Sequence, residues 1–196
     1  MLSSGGAFAQ EASRARPDPD WPCRQILVGT ISLPAVWSGP PVDSVKWRDD
    51  AAISDLVTKL AARRMPVDAA ERAVEDFAKS KGADRQAQLT ALFVGLFETL
   101  NGERGQIIDG LRRLGRQQKE LAAKIRAENA AIQSSPAAPS PNEGGEDQKA
   151  SAAETLALDL RIFEERHQAL TYVCETPTLI EQRLFALARA IQRNMN

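Results

Sequence analysis

The chain is short of the residues on which most catalytic and metal sites depend. It has one histidine, His167, among 196 residues. A nucleophilic serine or cysteine needs a base beside it, so His167 is the only strong acid–base candidate. The two cysteines, Cys23 and Cys174, form no C-x-x-C, which excludes a redox dithiol and a zinc knuckle. One histidine and two cysteines fall short of a transition-metal ligand set. Glu143, Glu146 and Asp147 lack the spacing of an EF-hand loop. No glycine-rich phosphate loop of the dinucleotide or P-loop type is present. The adjacent acids Glu164 and Glu165, like Glu75 and Asp76, point apart on a helix and make no glycosidase pair. These absences predict a non-enzymatic chain with no catalytic residues, no metal and no cofactor.

Other shortages bound the fold and the partners. Aromatic residues are 5% of the chain, while alanine occurs 31 times, which favours helix over sheet. No apolar run approaches the ~20 residues of a membrane span. The formal net charge is −1, against the basic excess of a nucleic-acid binder.

What is present is helical period, in distinct blocks. Residues 10–48 carry six prolines and all three tryptophans, Trp21, Trp37 and Trp47. Prolines at that density exclude a regular helix. Residues 21–48 therefore read as an extended arm that lays Trp and Ile side chains across a helical body. The alternative is an exposed tryptophan patch that binds a partner. From Asp49 the spacing of Ile53, Leu56, Val57 and Leu60 predicts a helix face. Pro66 restarts the chain into a second helix, with Val67, Ala70, Val74 and Phe77 on its face. A third segment runs from about Asp84 to Gln133. Its three–four spacing, Thr90, Phe93, Phe97, Leu100, Arg104, Ile107, Leu111, Leu114, Gln118, Leu121, Ile125, Glu128 and Ile132, marks a coiled-coil seam. Asn101–Gly105 is its expected weak point, where two glycines would bend or break the helix.

Residues 134–150, rich in Pro, Ser, Gly and charge, read as a disordered linker. A helix is expected to resume near Ser151, with Glu154 completing a capping box. Its seam reads Leu156, Leu160, Phe163, His167, Leu170 and Cys174. Thr176-Pro177 interrupts it before a last helix with Ile180, Leu184, Leu187 and Ile191 on one face.

These blocks predict an all-α fold. Residues 49–101 and 177–193 form a helical-bundle head. Residues 102–133 and 151–176 form a long antiparallel hairpin, or stalk. Residues 103–133 carry net charge +3 and residues 142–175 net −5, which favours their pairing. The same seam also permits a homodimer. Within the hairpin the basic cluster Arg112, Arg113 and Arg116 would face the acidic neighbouring helix or a protein partner. His167 would sit on the seam near Gln118 as a structural polar residue.

Residues 1–20 read as disordered or as a signal-peptide remnant. Ala7-Phe8-Ala9 before Gln10 has the small-x-small pattern of a signal-peptidase site, though no basic or apolar region precedes it. The competing reading is a chance match in an alanine-rich chain. Two isolated cysteines in an exported protein usually form one disulfide; two unrelated buried thiols are the alternative. Together these features predict a soluble periplasmic interaction protein: an adaptor, scaffold or accessory subunit with an unidentified protein partner. The alternative is a carrier with an apolar cleft between head helices, roofed by Trp21, Trp37 or Trp47, for a small ligand or lipid.

Overall fold

A computed structural model describes residues 18–134 and 143–195. The described chain is all-helical, without strands. A four-residue helix, α1 (Leu33–Val36), opens it, and Pro34 in the first turn suits that start. A 3-10 turn, Trp47–Asp49, leads into α2 (Ala51–Ala61). Asp50 caps α2 by accepting from the Ala52 and Ile53 amides at 2.9 and 3.2 Å. Then follow α3 (Val67–Lys79), α4 (Arg85–Ser134), α5 (Glu143–Val173) and α6 (Thr176–Arg193).

The 50-residue α4 organises the rest. At ~1.5 Å per residue it is about 75 Å long. Its two halves are buried differently. From Leu89 to Leu100 almost every side of the helix is covered, by α2, α3, α6 and the turn at Trp47. Beyond that, only Arg104, Ile108, Leu111, Gly115 and Gln118 are buried, one stripe at helical spacing. Phe93, Leu96, Leu100, Leu184, Leu187 and Ile191 are fully buried and dominate the core.

The glycines at 102 and 105 do not break α4. No other group stands where their Cβ atoms would be. The residues beside them are held: Asn101 exchanges two hydrogen bonds with the Ile31 backbone, both 3.3 Å, and Arg104 is 3% exposed. Tertiary contacts on both sides outweigh the roughly 1 kcal/mol that each glycine costs a helix.

Gly95 is different. A Cβ there would come within 2.6 Å of Val57 Cγ2 and 3.0 Å of the Trp47 ring. α4 meets α2 and the Trp47 turn closely because this position has no side chain. Gly95→Val is expected to lose about 1–3 kcal/mol through overpacking. Urea midpoints of the two proteins check this.

Arg183 shows how α6 locks α2. It is 5% exposed and donates to the Leu60 and Met65 carbonyls at 2.7 and 2.8 Å. Those carbonyls lie at and just beyond the C-terminal end of α2, where a helix leaves acceptors unsatisfied. Desolvation by burial holds the Arg183 pKa below its ordinary value.

α5 runs beside the second half of α4 in the opposite sense. Gln118 donates to the Phe163 carbonyl at 3.2 Å, and Lys124 pairs with Asp159 at 2.7 Å. Two details depart from the expected seam. Asp159, 7% exposed, faces α4, whereas Leu160 is 47% exposed. The ion pair with Lys124 takes the inner position that an apolar side chain was expected to fill. His167 also points outward; its ring lies 6.5 Å from that of Phe163, and it is not part of the interface.

α5 also begins at Glu143, well before Ser151. The linker expected over 134–150 thus gives way to helix from Glu143; residues 135–142 lie outside the described residues. So do residues 1–17, with Ala7-Phe8-Ala9 among them.

Candidate functional site

The segment from Asp18 to Ile31 lies across α4 near the α5–α6 junction. Asp18–Asp20, within the stretch expected to be disordered, are held against α4, and the reason is charge. Asp18 pairs with Arg112 Nε at 2.7 Å, and Asp20 with Arg116 at 3.0 Å and Lys119 at 3.3 Å. Lys119 also donates to the Pro19 carbonyl. Arg112 and Arg116 thus find their acids in the N-terminal segment, not in α5, apart from the local Arg112–Asp109 pair. Arg113 is exposed and has no ion pair among the described residues. The Asp20 carbonyl oxygen occupies the space that a Cβ on Gly115 would need.

Both carboxyls are held below the usual carboxylate range. For Asp18 the main cause is the Asp20 backbone N–H, then Arg112. For Asp20 it is the Arg116 guanidinium, helped by Lys119 and opposed by desolvation. Groups with depressed folded pKa values contribute fully above their unfolded pKa of about 4 and lose the contribution as pH falls through the folded value. Docking of this segment is therefore expected to be constant from neutral pH down to about 5 and to weaken below about 4. The indole N–H resonance of Trp21, which donates to Gln25 O at 2.7 Å, reports it.

Further along, Cys23 and Cys174 form a disulfide spanning a sequence separation of 151. Gln25 donates to the Cys174 carbonyl beside it. Arg104 then fixes the chain from beneath. Its guanidinium donates to the Val28 and Gly29 carbonyls at 2.6 and 3.2 Å and pairs with Glu181 of α6 at 2.5 Å. One buried cation thus joins the N-terminal segment, α4 and α6. Sequence reading placed Arg104 on the seam but assigned it no role.

Around this clamp lies apolar surface. Ile26 is 90% exposed, Tyr172 77% and Leu179 53%. Val28 and Val173 are also exposed. A cleft of about 220 Å³ opens beside Ile26 and Val28, lined also by Trp21, Arg104, Pro177 and Glu181.

The tryptophans have different fates. Trp21 is half-buried at the cleft. Trp37 is buried, stacked on Phe93 with ring centroids 3.9 Å apart, and its N–H reaches the Pro40 carbonyl at 2.8 Å. Trp47 is buried too, donating to Glu98 at 2.9 Å. An exposed tryptophan patch is therefore excluded for Trp37 and Trp47: their rings fill the core and their N–H groups are satisfied. Nor is the segment extended throughout, since α1 and the Trp47 turn interrupt it.

Among the described residues, no cluster of three His, Cys, Asp or Glu side chains is arranged to hold a metal ion. No helix among them is long and apolar enough to cross a membrane. No protein-family model, no curated protein and no solved structure matches this chain.

Proposed function

We propose that this chain is a non-enzymatic, exported helical interaction protein, an adaptor or accessory subunit of a bacterial envelope complex. In this reading the pinned arm presents a docking face beside the head, and the α4–α5 hairpin supplies reach as a stalk. The single observation that carries the proposal is the apolar surface around the Cys23–Cys174 bridge. Exposed apolar side chains beside a cleft, here Ile26 and Val28, mark interaction sites on soluble proteins when they are held on a rigid frame. Here the frame is a disulfide and a buried ion pair, so ordering the face on binding costs little. The disulfide also fits an oxidising compartment, and the periplasm is the one proposed.

The carrier reading has less support. The cleft of about 220 Å³ is smaller than the ~300–1,000 Å³ of typical ligand sites. Trp37 and Trp47, expected to roof such a cleft, are committed to the core. A homodimer through the seam also has less support, because α5 already lies along that stripe of α4, and the exposed Leu158 and Leu160 point to opposite sides of α5.

A photo-crosslinking residue placed at Ile26 or Tyr172, in the protein's own cells, tests the main proposal. Both positions should give the same discrete adduct. Asp76, exposed on α3 away from this face, should not. Adducts that are absent, or identical from all three positions, would overturn the docking face.

A further inference from the structure

A second surface, independent of the apolar rim, carries a more specific reading. Arg112, Arg116 and Lys119 stand at i, i+4 and i+7 on α4 and form one basic stripe. Gly115 makes a notch in it. Of the glycines at 102, 105, 110 and 115, only Gly115 has another segment's backbone seated where its Cβ would be, the Asp20 carbonyl of the Asp18–Trp21 turn; Gly102 and Gly105 face open space. The stripe therefore reads two things in its occupant: carboxylates two residues apart, and a main-chain carbonyl between α4 and the chain that follows.

We propose that this stripe is a receptor for an acidic, turn-forming peptide of a partner protein, with residues Asp18–Trp21, closed by the Trp21 N–H to Asp18 carbonyl bond at 3.1 Å, as its resident stand-in. Charge complementarity defines the partner chemistry. Two carboxylates meet three cations, which leaves the stripe one positive charge in excess. An incoming peptide with a third acidic group would balance that excess. The site is exchangeable because it is superficial. The side chains of Arg112, Arg116 and Lys119 are 35%, 50% and 55% exposed, and ion pairs so exposed are individually weak. What keeps the resident in place is its tether. Cys23, bonded to Cys174, follows Trp21 by two residues and holds the segment at a high effective concentration. The disulfide thereby sets the threshold that a partner peptide must exceed.

Fluorescence anisotropy with the labelled peptide Pro-Asp-Pro-Asp-Trp-Pro, the sequence of residues 17–22, tests this on the full chain. The variant Asp18→Asn/Asp20→Asn weakens the resident. It should bind the peptide about ten-fold or more tightly than the wild type does, and less tightly as salt rises. Reduced wild-type protein should shift in the same direction, a comparison that needs no substitution. In the Asp18→Asn/Asp20→Asn background, Gly115→Ala and Arg116→Glu should each abolish binding.

Failure of both the double variant and the reduced protein to bind would overturn the proposal. So would binding that survives Gly115→Ala, since that is unspecific charge attraction. Capture of phosphatidylglycerol vesicles in preference to the peptide, with the same dependence on Arg116, would assign the stripe to a lipid surface instead. A negative result leaves the apolar-rim reading intact, because Ile26, Tyr172 and Leu179 take no part in the stripe.

Discussion

Arg104→Met is expected to destabilise the protein by about 2–4 kcal/mol, a drop in Tm of roughly 10 °C. Removing one partner of a fully buried pair costs about 3–5 kcal/mol, because the other charge is left without compensation. The Arg104 side chain is 3% exposed, but that of Glu181 is 28% exposed and regains some hydration when unpaired. The expected loss is therefore set below the fully buried range. The Val28 and Gly29 carbonyls lose their donor as well. Lysine keeps a charge for Glu181 but lacks the planar fork that reaches two carbonyls and a carboxylate together. Arg104→Lys should recover less than half of the loss. Arg104→Met/Glu181→Leu should recover most of it, since the orphaned charge is then absent. Denaturant melts of the four proteins measure this. A single-variant loss below about 0.5 kcal/mol, the range of an ordinary surface substitution, would show that Arg104 is no clamp.

Removing the disulfide is the second large effect. With a sequence separation of 151 between Cys23 and Cys174, loop closure in the unfolded chain is restricted by about 5 kcal/mol in the entropy model, and measured values are usually about 2–4 kcal/mol. Cys23→Ser/Cys174→Ser is expected to fall in the measured range. The loss should be uneven across the fold. Asp18–Ile31 is held to the body by exposed ion pairs, Arg104, Asn101 and the bridge, whereas α2, α3 and α6 pack through the apolar core. Hydrogen exchange should therefore rise first in residues 18–31, at denaturant concentrations where α2 and α6 remain protected. Equal exposure of all segments would contradict this division. Unchanged exchange in residues 18–31 would show that the bridge adds nothing to the clamp.

Much of the helical layout was legible because it rests on period. Ile53, Val57 and Leu60, like Ile180, Leu184, Leu187 and Ile191, face the core at the spacing read from the sequence. Prolines and charged caps marked the starts: Asp50 caps α2, and Pro66 immediately precedes α3. What escaped was set by distant contacts. The glycines at 102 and 105 weaken a helix locally, but Asn101 and Arg104 are anchored by a segment about seventy residues earlier in the chain. No local signal reports that anchoring. Leu160 fitted the seam better than Asp159 on hydrophobicity alone, and Lys124 reversed the choice.

The candidate site was legible in part. Cys23 and Cys174 were a reasonable pair, and Arg112 and Arg116 were visible as a cluster, but their partners Asp18 and Asp20 sat in a stretch read as disordered. One signal was available and unused. Arg104 occupies a seam position, and Arg183 shares a helix face with Ile180, Leu184 and Leu187. An arginine at an apolar position predicts either a functional cation or a buried tether, and both of these residues are tethers.

The most direct test of this account is a count of free thiols with non-reducing peptide mapping, on protein purified from its native cells. No free thiol is expected, and one linked pair of peptides containing Cys23 and Cys174. That result would fix the arm at the α5–α6 junction and support an oxidising compartment. Two free thiols would contradict it: the docking face would lose its frame, and the case for export would lose its chemical support.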